Sequence, residues 1–205
     1  MTINDKPTSV DDLVFPSAHV EKRVRQYADN KRNGNIILYG PKGTGKSATA
    51  YVIADTRSKA AQSTYPIPVY NGADVDSSTF DRMYNDWSWQ RINGVKQPYV
   101  IIDEVDKLSA GLQHKLRAVL DSTELGNVIL TTNHIHRVDE PLVDRCDDIE
   151  MPPINLDNWR GKVDDWLTAE GIEVDNDYLN DVLRTNNGTI RDLKRAVEDI
   201  KCEHK

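Results

Sequence analysis

Ile36-Ile37-Leu38-Tyr39-Gly40-Pro41-Lys42-Gly43-Thr44-Gly45-Lys46-Ser47 is the stretch on which the fold turns. Its first four residues are an apolar run of the length of a buried strand. The next eight match GxxxxGK[ST] in full, the spacing of a phosphate-binding loop. The glycines let backbone amides curl round phosphate oxygens. The helix expected from Lys46 to Arg57 points its positive end at the same anions. Lys46 offers a charge to the β- and γ-phosphates, and Ser47 offers a hydroxyl to Mg²⁺. A chance match would also give the pattern. The strand before it and the helix after it supply the context in which such a loop works.

Toward the N-terminus, Val20, Val24, Tyr27 and Ala28 sit at helical spacing within Ala18–Arg32, and Asn33-Gly34 stops that helix. Residues 1–12 are polar, carry Pro7, and read as a flexible arm. Toward the C-terminus, Ile67–Tyr70 is a second strand bounded by Pro66 and Asn71-Gly72. Residues 74–94, with Phe80, Tyr84, Trp87 and Trp89, are expected to hold one helix and a loop. Tyr99–Ile102 is a third strand. Leu112, Leu116, Val119 and Leu120 mark a helix after Ser109. Asn127–Thr132 gives a fourth strand and Ile149–Met151 a fifth. Nearly all-apolar strands alternating with helices predict an α/β fold, a five-stranded parallel sheet covered on both faces. After Pro152-Pro153 only helical spacing remains, in Trp159/Val163/Trp166/Leu167, Tyr178/Leu179/Val182/Leu183 and Ile190/Leu193/Ala196/Val197/Ile200. The expected organisation is an arm (1–12), an α/β domain (13–152) and a small all-helical domain (153–205), hinged at the prolines.

Of 205 residues, 38% are hydrophobic and 29% charged, enough for a globular core. No apolar run approaches the roughly 18–20 residues of a membrane span, and the first residues lack the basic-then-apolar pattern of a secretory signal. Cys146 and Cys202 are far apart, which excludes a disulfide scaffold and a zinc framework and fits a reducing cytoplasm, a host's if the chain is viral. With 26 basic against 33 acidic residues, a net −7, the charge balance argues against bulk-charge adhesion to nucleic acid and leaves room for a local basic surface within an assembly.

The third strand ends in Asp103-Glu104. The carboxyl ends of parallel strands are where α/β folds bind ligands. There Asp103 can hold Mg²⁺, commonly through water, and Glu104 can polarise a water as general base. A solvated acidic turn would look the same in isolation. Beside a full phosphate loop the pair points to hydrolysis.

From about residue 11 to about 200 the sequence resembles the AAA+ ATPases, and among them the small subunits of sliding-clamp loaders of the replication factor C and phage type. Asp103-Glu104-Val105-Asp106-Lys107-Leu108 with Gln113, Leu116 and Arg117 resembles the clamp-loader DEAD box and its following helix, departing at Val105 and Lys115. The resemblance makes Gln113 the residue coupling ATP sites to DNA, although it is equally well an exposed helix residue. Val128–Asn133 resembles the strand bearing sensor 1, so that Asn133 would orient the attacking water. Asn is also common at strand ends. Val138–Cys146 is similar to the IxxPLxSRC box, with Arg145 as an arginine finger reaching a neighbouring subunit's ATP and Asp144 departing from the family's Ser. An ion pair of Arg145 with Asp144 or Asp147 is the plain alternative. Asn187–Leu193 resembles the lid motif GxxRxL, which implies Arg191 as sensor 2, and Thr189 with Asp192 forms a capping-box pattern. A solvated Arg191 is the competing possibility. Asn71-Gly72-Ala73-Asp74 resembles the clamp-loader NASD segment, and as well a simple turn. Cys146 reads as a packing residue.

The resemblance implies ATP at subunit interfaces, Mg²⁺, an oligomer of like or unlike AAA+ subunits, DNA, and a sliding clamp or other replication protein as partner. Clamp-loader subunits continue into a helical collar, whereas this chain reaches Lys205 at the end of the lid. The alternatives are another DNA-processing ATPase (helicase loader, branch-migration motor or transposition regulator), a protein-remodelling ATPase using Trp87 and Trp89 in a pore loop, or a binding subunit without hydrolysis. Lys107, His114, Lys115 and Arg117 are the candidate DNA contacts, or simply a charged face.

Overall fold

The computed structural model describes residues 6–153, 156–184 and 189–203, with the backbone alone at 156 and 157. Helix α1 (Ala18–Ala28) leads into strand β1 (Ile36–Tyr39), and α2 (Lys46–Ala60) into β2 (Val69–Asn71). Then follow α3 (Ser77–Ile92), β3 (Tyr99–Asp103), α4 (Ala110–Leu120), β4 (Asn127–Thr132), α5 (Glu140–Val143) and β5 (Asp147–Glu150). Helices α6 (Leu156–Ala169), α7 (Asn176–Arg184) and α8 (Ile190–Glu203) complete the chain, and after Pro153 the described residues hold no strand.

The five strands pair in parallel in the order β2-β3-β4-β1-β5. Ile36 of β1 stands opposite Ile129 of β4 on one side and Asp147 of β5 on the other. Ile36, Ile37 and Leu38 are fully buried, as the apolar run predicts for a central strand. Two cores follow from the two faces. Ile36, Leu38 and Ile101 pack with α1 and α2. Ile37, Val100, Ile102 and Leu130 pack with α3 and α4. A third cluster, with Trp159, Trp166, Leu179, Leu193 and Val197 at its centre, holds α6–α8 together, and Val14 packs against it.

Several expectations shift. The fifth strand begins at Asp147, not Ile149, because β5 is an edge strand with only Ile149 turned into the core. The Asp147 carboxylate is held by Arg23, Arg32 and the Tyr27 hydroxyl, so a polar residue is stable there. Strand β2 is shorter than expected and displaced toward Asn71. Within the expected flexible arm, Val10–Asp12 form a 3-10 turn: Asp12 accepts from the Thr8 and Ser9 amides, and Val10 is buried. Trp87, a candidate pore-loop residue, lies on α3 in the core, where its indole N–H donates to the Asn127 carbonyl at 3.2 Å. Trp89 is 54% exposed on the same helix.

Candidate functional site

The carboxyl ends of β1, β3 and β4 converge on one cavity of about 470 Å³. The sheet order explains it. Strands β1 and β4 are neighbours and β3 lies next to β4, so the loops leaving them share one edge. The loop Gly40–Ser47 follows β1 and turns straight into α2. Gly40 has φ 144°, and a side chain there would collide with the Met151 carbonyl, so the loop's entry tolerates no larger residue. Lys42, Gly43, Thr44, Gly45, Lys46 and Ser47 line the cavity. The Thr44 hydroxyl donates to the Pro41 carbonyl at 3.0 Å and stiffens the loop.

Lys46 is buried and donates from Nζ to the carbonyls of Gly40 at 2.9 Å and Pro41 at 2.6 Å. Burial pushes its ammonium down to about 8, against the pull of Asp103, Asp106 and Glu104. Ser47 Oγ donates to Asp103 Oδ1 at 2.7 Å. The same carboxylate oxygen accepts from the Thr131 hydroxyl, and Thr131 Oγ1 accepts from the Glu104 amide at 3.1 Å. Thr131, which the sequence did not single out, therefore aligns both acidic residues. Only its place one strand over from the pair could have marked it. Glu104 sits at φ 58°, ψ 50°, a left-handed conformation that costs a non-glycine residue about 1 kcal/mol or more. Its carboxylate pairs with Lys107 Nζ at 2.8 Å. A Cβ at Gly72 would strike the Glu104 carbonyl, so the turn after β2 is part of the same construction.

Asn133 also lines the cavity, just past β4. Opposite the loop stand Ile190, Arg191 and Lys194 of α8. The Ile190 amide donates to the Gly43 carbonyl at 2.8 Å, which fixes the start of α8 against the phosphate loop. Thr189 caps α8, its hydroxyl accepting from the Asp192 amide at 3.2 Å. Asn187 and Gly188 of the lid motif lie outside the described residues. Leu13, Val14, Trp159 and Trp166 give the cavity an apolar wall. The indole N–H groups of Trp159 and Trp166 are buried and have no partner among the described residues. Their helical spacing marked them as core and gave no sign of the cavity.

Arg145 is not among the lining residues. Its Nε donates to Asp121 at 2.8 Å and its Nη1 to the Pro141 carbonyl at 2.8 Å, so neither Asp144 nor Asp147 is its partner. Gln113 is buried, not exposed. It donates to the carbonyls of Leu108 and Arg137, each at 3.2 Å, and accepts from the Asp139 amide at 2.8 Å. Of the candidate DNA contacts, Lys107 is paired with Glu104, Arg117 with Asp139, and Lys115 donates to the Ser77 hydroxyl. Burial pushes the Cys146 thiol up to about 12, which suits packing rather than reactivity.

The model of the ATPase family associated with various cellular activities (AAA) matches residues 36–153. Replication factor C subunit 3 of Oryza sativa subsp. japonica is 26% identical over 207 residues, covering 97% of this chain and 55% of that protein. Replication factor C small subunit of Archaeoglobus fulgidus is 23% identical over 197 residues, covering 94% of this chain and 61% of that protein. The chain thus spans little more than half the length of these curated relatives. Among solved structures, a RuvB variant of Thermotoga maritima superposes with a TM-score of 0.75 at 15% identity, covering 94% of this chain and 64% of that one. A DNA replication initiation factor superposes with a TM-score of 0.72 at 16% identity, covering 98% of this chain and 66% of that one. These likenesses show the same fold. No helix among the described residues is long and apolar enough to cross a membrane.

Proposed function

The chain belongs to the ATPase family associated with various cellular activities, and from that premise we propose that it is an ATP-hydrolysing motor subunit of the sliding-clamp-loader type, acting in DNA replication. The observation that carries the proposal is the meeting, in one cavity, of the Lys46 loop, the Ser47–Asp103 pair, Glu104, Asn133 and Arg191. The loop amides and Lys46 hold the β- and γ-phosphates. The Ser47 hydroxyl and Asp103 carboxylate, 2.7 Å apart, are the hard oxygen donors that suit Mg²⁺. Bound there, Mg²⁺ would neutralise charge on the phosphates. Glu104 takes the proton of the attacking water, and Asn133 orients that water. Arg191 contacts the γ-phosphate from α8. The α/β unit 13–152 forms the ATPase body and residues 153–205 its lid, and of the arm (1–12) the described residues bond to both as a strap: Lys59 donates to the Thr8 carbonyl and Lys162 to the Asp11 carbonyl.

Arg145 serves a neighbouring subunit's ATP. Its pair with Asp121 is solvent-exposed and so weak enough to exchange for a phosphate. The likeness to replication factor C subunits supports DNA and a clamp or other replication protein as partners, within an oligomer of AAA+ subunits. Steady-state ATP hydrolysis with and without primed DNA tests this, using wild type and Arg145→Ala mixed at fixed total protein. The expected result is stimulation by DNA and poisoning by Arg145→Ala beyond simple dilution. Activity that ignores DNA and merely scales with the wild-type fraction would sink the loader assignment and leave the ATPase.

A further inference from the structure

The helical unit sorts its cations into two kinds. Arg160 bonds to Asn176 and Asn180, Lys162 to the Asp11 carbonyl, Arg184 to Asp181, Arg195 to Asp192, and Lys201 to Glu170 and Glu198. The remaining Lys and Arg of residues 156–203, Arg191 and Lys194, have no acceptor among the described residues, and both line the cavity. Lys194 is half-buried where it lines the cavity. Both cations also stand near the positive N-terminal end of α8, where positive charge is disfavoured. Across the cavity are Lys6, Lys42 and Lys46. The lining carboxylates do not pair with any of the five. Asp12 accepts from backbone amides, Asp103 from Ser47 and Thr131, and Glu104 pairs with Lys107. Lys46 bonds to the Gly40 and Pro41 carbonyls, so among the described residues none of the five is matched by a carboxylate in a salt bridge, and in a chain of net charge −7 such a cluster suits a polyanion.

We propose that Lys194 is a second cation of the helical unit for the nucleotide's polyphosphate, and that with Arg191 it makes the cavity prefer ATP to ADP. This rests on the nucleotide-site reading given above. The two residues are three apart on one helix, about 4.5 Å along its axis, and so share a face. The Ile190–Gly43 hydrogen bond holds that face at the phosphate loop. ATP carries one more negative charge than ADP, so each added cation widens the difference between them.

Calorimetric titration of ATP, ADP and inorganic tripolyphosphate at two NaCl concentrations tests the proposal with wild type, Lys194→Gln, Lys194→Arg and the control Arg184→Gln. Lys194→Gln should weaken ATP and tripolyphosphate roughly tenfold, about 1.4 kcal/mol, weaken ADP less, and flatten the salt dependence. Lys194→Arg should recover most of the affinity, with Arg184→Gln and all melting temperatures near wild type. Unchanged ATP affinity in Lys194→Gln, or equal loss for ATP and ADP, overturns the proposal. So does a lowered melting temperature that Lys194→Arg does not restore, since that marks a packing role. Wild-type protein that binds neither nucleotide overturns this proposal and the nucleotide-site reading together, a result distinct from intact binding that ignores Lys194.

Discussion

Lys46 carries its charge at a cost that pH can reveal. Burial lowers its proton affinity to about 8 from an ordinary 10.5. Below pH 8 the buried ammonium is charged and opposes folding, and that penalty fades as pH rises from about 8 toward 10.5. In the proposed function the Lys46 ammonium holds the phosphates, so above pH 8 binding ATP would take up a proton. Affinity for ATP should therefore fall above about pH 8, by up to roughly tenfold per unit, and titration in buffers of different ionisation heat should show proton uptake. Lys46→Met should melt higher than wild type at pH 7, with the gap narrowing as pH rises from 8 toward 10.5. Glu104 is a different case, since the proposed function gives its carboxylate a part in chemistry rather than in binding. Glu104→Gln should cut kcat by about 100-fold or more with KM nearly unchanged, read by single-turnover hydrolysis against nucleotide titration. Parallel loss of both would place Glu104 in binding.

Helix α6 brings Trp159 and Trp166 to the cavity wall, their ring centres 6.1 Å apart. Nucleotide should therefore change tryptophan emission. Trp166→Phe should remove much of the response and Trp89→Phe little of it, because Trp89 lies exposed on α3 and away from the cavity. Helix α4 is tied to the segment before α5 through Gln113. Gln113→Ala leaves the Arg137 carbonyl and the Asp139 amide without that partner and should cost about 2 kcal/mol in denaturant unfolding. This is also the scale at which sequence is most and least informative. Strands β1, β3 and β4 are buried on both faces, so each carries an apolar run (Ile36–Leu38, Tyr99–Ile102, Val128–Leu130) that announces itself. Edge strand β5 reads Asp-Asp-Ile-Glu and shows no such run. The phosphate loop was legible because its chemistry dictates residue type at fixed spacing. Thr131, Lys194 and the two indoles were not, because they enter the site by tertiary placement, and a Trp at helical spacing looks the same whether it faces a core or a ligand. Gln113 shows the same limit from the other side. Polar character suggested exposure, whereas three backbone partners permit burial.

At the scale of the whole molecule, one sheet separates two cores while a third cluster, with the N-terminal strap laid against it, closes over the carboxyl ends. The same sheet has two open sides. On one, β2 is only three residues long, and on the other β5 exposes Asp148 and Glu150 while Ile149 points inward. Unpaired strand edges invite pairing with another chain, and shortness and negative charge discourage it. Copies of this protein crowded together should thus avoid sheet-to-sheet growth and stay free to meet through other surfaces. Replacing Asp148 and Glu150 together by Val should leave the fold intact yet turn a soluble preparation into one that scatters light on standing, and would show the two carboxylates to be guards against self-aggregation.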